Sequence, residues 1–373
     1  MKKKILFGFS LLALITSLVA CKTNNDSNIS VNKFFKSSEI FTDRDLEQNV
    51  NTSNATTYTV VDNENITIDE EGIYVIKGNA NNSTIIVNTD SDSKVQLVLD
   101  NLTITNENTP CLYVKNADKV FVTLTGTNYL TVTDSFTSDG DTNTDAVIFS
   151  KDDLVINGEG SLNIKSSENG ITSKDDLKIT GGNINVTSVK DAIEANDSIS
   201  INDGNITITS KKDGLHSECD DDSTGYIYIN GGTINIESTA NAIHATTIVQ
   251  IDNGNITLSG REGIEGTYIQ INDGNIEITA TDDGINAGSK SSKYDVTIEI
   301  NGGTLSIDMG SGDTDAIDAN GNLYINGGTI NITAQSPFDY DNIGELNGGD
   351  VYVNGNKVTE LTNQMMNGKV GKK

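Results

Sequence analysis

Acidic side chains recur in this chain at a spacing that could let them share cations. Short words of an acidic or amide residue, a usually small residue and an aliphatic begin at Asp145, Asn169, Asp191, Asp213, Asn241, Glu262, Asp283 and Asp315. Three residues after most of these starts stands a second polar set: Thr172, Glu194, His216, His244, Glu265, Asn286 and Asp318. Carboxylates held side by side repel unless something intervenes. Ca²⁺, a hard cation that accepts roughly six to eight oxygen ligands in irregular geometry, is the expected mediator. The richest groupings are Asp191 and Glu194 with Asp213, Glu262 and Glu265 with Asp283, and Asp315 with Asp318. Asp282, Asp313 and the run Asp220-Asp221-Asp222 lie in adjacent loops. Where both sets are acidic, metal is the expected reading. Where the word begins with Asn, side-chain capping of a backbone bend is. His216 and His244 read as surface hydrogen-bonders in preference to a zinc pair.

Something must bring residues so distant in sequence into register. Between the words lie isoleucine pairs such as Ile199/Ile201 and Ile206/Ile208, split by Asn-x-Gly or Asn-Gly-Gly turns at 202–204, 230–232, 272–274, 301–303 and 326–328. The period is mostly about 21 to 22 residues, which is a repeat-architecture length. Period-2 alternation in short β-branched runs reads as strands. The economical solution is an all-β fold: a right-handed parallel β-helix, a solenoid with about three strands per coil. In it Ile199 and Ile206 stack on Ile227 and Ile234 of the next coil, and the turn glycines supply φ > 0. Equivalent side chains then stand about 4.8 Å apart, so both polar sets become columns. A looser repeat from Tyr58 to Val132 supplies the early coils.

Composition agrees. Aromatics are 5% of the chain and proline occurs twice, which suits a thin aliphatic core rather than a helical enzyme. The formal net charge of −28 excludes nucleic acid as a natural partner, since that affinity comes from Lys and Arg neutralising phosphate. The N-terminus reads as an address. Lys2 to Lys4 precede an apolar run from Ile5 to Ala20 that is too short for a convincing membrane span. Leu18-Val19-Ala20-Cys21 resembles a lipobox, which makes Cys21 the expected lipidation site and the lipid the only membrane contact. The expected organisation is signal peptide and lipobox cysteine over 1–21, a polar tether over 22–55, the β-helix over 56–360 and a basic polar tail over 361–373. Cys111 and Cys219 are expected to be free thiols.

Strand alignment also puts Tyr228, Gln250, Gln270, Glu299 and Tyr324 in one outward column, with Tyr226 and Tyr268 in another. Tyr226, Tyr228, Tyr268 and Tyr324 could form a sugar-stacking platform, or simply pack across strands as aromatics do. No nucleophile constellation is visible, and no glycine loop opens a helix as phosphate cradles do. Lys174, Lys190, Lys211 and Lys212 lie near the acidic edge. A β-eliminating base would need a lowered pKa, and acids nearby raise it.

The stretches "KVQLVLDNLTI" (94–104), "SKDDLVINGEGSLNI" (150–164), "SKDDLKITGGNINV" (173–186), "GIEGTYIQINDGNIEITATDDGINA" (263–287) and "DAIDANGNLYINGGTINI" (315–332) carry a resemblance covering about 56 to 355. The chain resembles the bacterial carbohydrate-binding-domain lipoproteins with a polysaccharide-lyase-like parallel β-helix. The resemblance implies surface display, calcium held by acids along the β-helix, and binding of plant cell-wall polysaccharide such as cellulose or pectin, without lyase activity. Glu262, Glu265, Asp282 and Asp283 match the family's acidic words best, whereas His216 and His244 depart from them. The expected protein is therefore a monomeric, calcium-containing, surface-anchored binder of polysaccharide, pectin or polygalacturonate or cellulose. The rival readings are a calcium-dependent pectate-lyase-like enzyme and a structural or adhesive surface solenoid.

Overall fold

The computed structural model describes residues 32–219, 224–310 and 314–363. Apart from Asn32, these belong to one compact unit, Lys33–Lys373. Cys21 and the first part of the expected tether, Asp220 to Asp222, Asp313 and most of the C-terminal tail lie outside the described residues.

Strands dominate, and the only helix among the described residues is the single turn Ser37–Ile40. No described helix is long and apolar enough to cross a membrane. The strands pair in parallel from one repeat to the next. One face is a twelve-stranded sheet that takes one strand per repeat, including Asn169–Ser173, Ile193–Ala195, Leu215–Ser217, Asn241–Ala245 and Glu262–Gly266. The remaining strands form two further columns. Asp176–Ile179, Ser198–Ile201 and Tyr226–Ile229 stand in the second, and Asn183–Ser188, Asn205–Ser210 and Thr233–Ser238 in the third. The stack closes on an antiparallel hairpin of Asp350–Val353 with Asn356–Val358.

The isoleucines do what their spacing demands. Ile199 pairs with Ile227, and Ile206 with Ile234. Along the first face Ile193, Leu215, Ile243, Ile264, Ile285 and Ile317 follow one another. All of these are essentially fully buried, and each such side chain contributes about 1.5–3 kcal/mol.

Two local features fix the corners. The last turn glycine has positive φ, as at Gly204, Gly254 and Gly274. The turn amides form a ladder in which Asn230 donates to Asn202, Asn301 to Asn272 and Asn326 to Asn301 at 2.8–3.0 Å. The small residue of each word answers to a crowded corner. A Cβ at Gly284 would lie 2.5 Å from the Ala316 carbonyl oxygen and 2.6 Å from Ile307 Cγ2.

Two expectations change. The first word slips by one residue: Ala146, not Asp145, pairs with Asn169, and Ile148 with Ile171. Asp145 therefore stands just outside the column it was assigned to. The expected tether is not wholly free either. Residues 33–50 lie as a strap along the outer surface of the second sheet. Buried Asp45 receives Lys178 at 3.3 Å and the backbone N–H of Thr42 at 3.0 Å. Arg44 covers the ring of Phe121 at 4.2 Å, and Gln48 bonds Thr180 O and Gly158 N.

Candidate functional site

The acidic words begin the strands of the first face, and their side chains serve that face twice. One carboxylate or amide oxygen holds the stack together. Asn169 Oδ1 accepts from Asp191 N, Asp191 Oδ1 from Asp213 N, and Asp213 Oδ1 from Asn241 N, at 2.9–3.1 Å. Asp283 Oδ1 accepts from Asp315 N at 3.4 Å. Capping of the backbone is thus real for Asn and Asp alike. The other oxygen is left to face the second column, whose register runs Phe149, Thr172, Glu194, His216, His244, Glu265, Asn286, Asp318 and Asp339.

What meets that second oxygen differs along the stack. Over Asp191 to Asn241 it is basic or amide. Lys212 Nζ lies 2.7 Å from Asp191 Oδ2, and Lys174 Nζ 3.6 Å from Glu194 Oε1. Glu194 Oε2 accepts from Asn169 Nδ2 at 2.7 Å and Thr172 Oγ1 at 3.1 Å. His216 Nδ1 is 3.3 Å from Asp191 Oδ2, and His244 Nδ1 is 3.3 Å from Asp213 Oδ2. Burial opposes ionisation of Asp191, but His216 and Lys212 outweigh it and hold this carboxyl down at about 2. Burial likewise opposes protonation of His216, and Asp191 outweighs it in turn, raising the imidazole. His216 is buried and His244 half-buried, so neither is a surface hydrogen-bonder in the ordinary sense.

Further along, base runs short. Ligand oxygens of Glu262, Asp282 and Asp283 all lie within 4.8 Å of one another. One guanidinium serves two of the three: Arg261 is 2.5 Å from both Glu262 and Asp282. Asp283 is pushed up to about 7, first by burial and then by Asp318, Asp282 and Glu262. Asp318 is pushed up to about 6 by burial and by Asp315, Asp339 and Asp341. Glu262 is raised by burial and by Glu265. Glu265 itself turns away to Lys290 at 2.6 Å and to Asn241. Ser336 donates to Asp315. A further acidic trio, Asp153, Asp175 and Asp176, gathers at the start of the second face, where burial and its neighbours raise Asp175 to about 6. The repeated Ser-Lys-Asp-Asp-Leu at 150–154 and 173–177 was its signal in the sequence.

The tyrosines stand in the register expected of them: Tyr228, Gln250, Gln270, Glu299 and Tyr324 follow one another. They do not form an open platform, because the strap lies on them. Phe35 stacks on Tyr226 at 4.3 Å, and Phe41 packs on Tyr228 at 6.2 Å. Phe34 meets Tyr268 edge-on at 4.8 Å. Gln250 clasps the Phe35 backbone, accepting from its N at 2.9 Å and donating to its O at 3.0 Å. Tyr228 is fully buried, its hydroxyl bonded to Asn230 and Asp252. Tyr324 stays partly exposed beyond the strap.

A family model described as carbohydrate-binding domain-containing protein matches residues 62–267 and 259–363, nearly the whole stack just described. The chain belongs to that family. A carbohydrate-binding domain-containing protein of Acetivibrio thermocellus is 35% identical over 139 residues, 36% of this chain and 48% of that protein. The matched stretch thus spans about half the length of that curated relative. The chain is also similar to a solved structure described as the polysaccharide lyase-like protein from C. thermocellum, a gadolinium derivative. That likeness has 25% identity and a TM-score of 0.49, and covers 78% of this chain and all of the other.

Within this carbohydrate-binding domain the fit to calcium can be judged from donor chemistry. Glu262, Asp282 and Asp283 offer only oxygen, and the raised carboxyls of Glu262 and Asp283 mark a crowding of negative charge that a cation would relieve. Asp191, Glu194 and Asp213 do not fit as well. Lys212, Lys174 and the histidines already neutralise them, and imidazole is a poor ligand for calcium.

Proposed function

We propose that this chain is a calcium-containing β-helix that binds acidic cell-wall polysaccharide, of the pectin or polygalacturonate class, at the outer surface of a bacterial cell. The coils are right-handed with about three strands each, by the crossover preference of parallel strands. Cys21 carries the lipid that holds the protein, a monomer, at the membrane. Family membership supports the carbohydrate, and one observation carries the cation: three carboxylates converge within 4.8 Å at Glu262, Asp282 and Asp283 with a single guanidinium between them. Calcium there, with Asp318 and Asp315 nearby, relieves the repulsion and leaves coordination positions for uronate oxygens.

A lyase reading has less support. Lys190 and Lys212 are ion-paired at 2.5 Å and 2.7 Å. The hydrogen bond to Glu168 raises Lys190, and Asp191 raises Lys212 against the pull of burial. Both move away from the lowered pKa that an abstracting base needs.

The test is retention on insoluble polygalacturonate and on cellulose, with calcium and with chelator, for the wild type and for the double variant Asp282→Asn/Asp283→Asn. Calcium-dependent retention on polygalacturonate, lost in the double variant, is expected. Retention no better than that of an unrelated acidic protein refutes the binding claim. Retention unaffected by chelator refutes the role of calcium.

A further inference from the structure

The chain contains two histidines, and the fold brings both to one spot. His216 and His244 occupy equivalent positions on neighbouring strands. Their rings lie parallel within 10°, with centroids 4.8 Å apart. Both direct Nδ1 at carboxylates of the first column. His216 Nδ1 is 3.3 Å from Asp191 Oδ2 and 3.8 Å from Asp213 Oδ2, and His244 Nδ1 is 3.3 Å from Asp213 Oδ2.

Those separations have a chemical meaning. Zinc binds imidazole nitrogen and carboxylate oxygen tetrahedrally at roughly 2.0–2.1 Å, so neighbouring donors of one ion stand about 3.3 Å apart. The His–Asp separations here are that edge length, or half an ångström more. Donors of Asp213, His216 and His244 lie within 4.8 Å of one another. The far side of each ring is equally suggestive. His244 Nε2 lies 3.4 Å from Glu265 Oε2. His216 Nε2 lies 3.3 Å from Glu218 Oε2 yet meets no hydrogen-bond geometry, although the side chain is only 6% exposed. Carboxylates behind both rings are the outer support that metal-bound histidines use to keep a proton on the distant nitrogen. Protonation of both rings is the other way to satisfy these acids, and it sets two cations face to face.

We infer that Asp213, His216 and His244 hold a borderline divalent cation of the zinc class, separate from the all-oxygen calcium site, with Asp191, beside His216, as the fourth donor that moves in when the ion binds. The ion replaces the protons on the two Nδ1 atoms, which leave to solvent, while Glu265 faces the Nε2–H of His244 and Glu218 lies 3.3 Å from Nε2 of His216 without bonding it. Lys212, half exposed and 2.7 Å from Asp191, gives up that partner to the ion. Calcium does not compete, since imidazole suits zinc, copper and nickel. The site does not depend on the polysaccharide reading.

Cobalt(II) is the probe. The full chain, stripped by chelator and then held in excess calcium, is titrated with Co²⁺. One equivalent should produce the intense visible band of tetrahedral cobalt, and Zn²⁺ should bleach it. In His244→Gln the affinity should fall by about tenfold or more, with far-ultraviolet circular dichroism unchanged. A wild-type spectrum without that band, or a folded His244→Gln protein that binds as tightly as wild type, overturns the site. A second measurement needs no variant. His244 is 19% exposed at its side chain and open to diethyl pyrocarbonate, and one equivalent of Zn²⁺ should protect it. Modification at the same rate with and without zinc overturns the proposal.

Discussion

Asp283→Asn should stabilise this protein without calcium and weaken it with calcium. Asp283 sits among Asp282, Glu262 and Asp318, and burial and these neighbours move its carboxyl from 3.8 to about 7. At about 1.4 kcal/mol per tenfold, full ionisation in the fold costs about 4 kcal/mol. The carboxylate is partly exposed, and solvent screening brings this to about 2 kcal/mol. The sign follows from proton uptake. Between pH 4 and about 7 the folded chain binds more protons at this site than the unfolded chain does, so stability falls as pH rises through that window. Asparagine keeps the Oδ1 that accepts from Asp315 N, so the variant loses the charge and not the rung. The assay is denaturant unfolding at pH 5 and pH 8, each with chelator and with calcium. At pH 8 in chelator the variant should gain about 2 kcal/mol over wild type, and at pH 5 the gain should shrink. In calcium the order should reverse. A variant less stable than wild type in chelator at pH 8 refutes the electrostatic reasoning, because the carboxylate would then have been contributing attraction.

Two further outcomes test the frame that holds the site. Phe41→Ala removes a buried ring that packs on Tyr228 and should cost about 3 kcal/mol, seen as faster amide exchange in residues 33–50 and at Tyr228 with the coils still protected. Uniform loss of protection would show that the strap and the stack are one cooperative element. Gly284→Ala should destabilise by about 1–3 kcal/mol in chelator, since its methyl would meet the Ala316 carbonyl, whereas Gly288→Ala, whose nearest neighbour is 3.9 Å away, should be close to neutral. Equal midpoints for the two alanine variants would mean that the corner relaxes.

The stack was legible because its signals are periodic and redundant. Isoleucines, turn glycines and acids each mark the same period, so an error in one is corrected by the others. The slip at Asp145 shows the limit. In Ala146-Val147-Ile148-Phe149 four apolar residues follow one another, and nothing in the word says which of Val147 and Ile148 matches Ile171. The columns follow from register alone, so the repeat by itself aligns Glu194, His216, His244 and Glu265. Their chemistry does not follow from it, because it depends on which base reaches each second oxygen. Lys212 and Arg261 were local enough to find; Lys290, reaching back to Glu265 from a loop, was not. The strap was the least legible part. It has no period, and beyond the apolar pair Phe34-Phe35 its binding rests on isolated groups such as Asp45 and Gln48 that a polar, irregular stretch does not advertise.

That strap changes how the molecule would carry a mechanical load. A plain solenoid joins each coil only to its neighbours, and a pull on its first strand peels it one rung at a time. Here the strap, where the described residues begin, meets the stack far from its first coil, at Asp252 and Gln250 through Lys33 and Phe35. It then runs lengthwise over Tyr228, Lys178 and Phe121 before entering the first strand. Tension applied at Lys33 therefore meets the stack at Asp252 and Gln250 and loads many side contacts in shear at once, rather than unzipping an end.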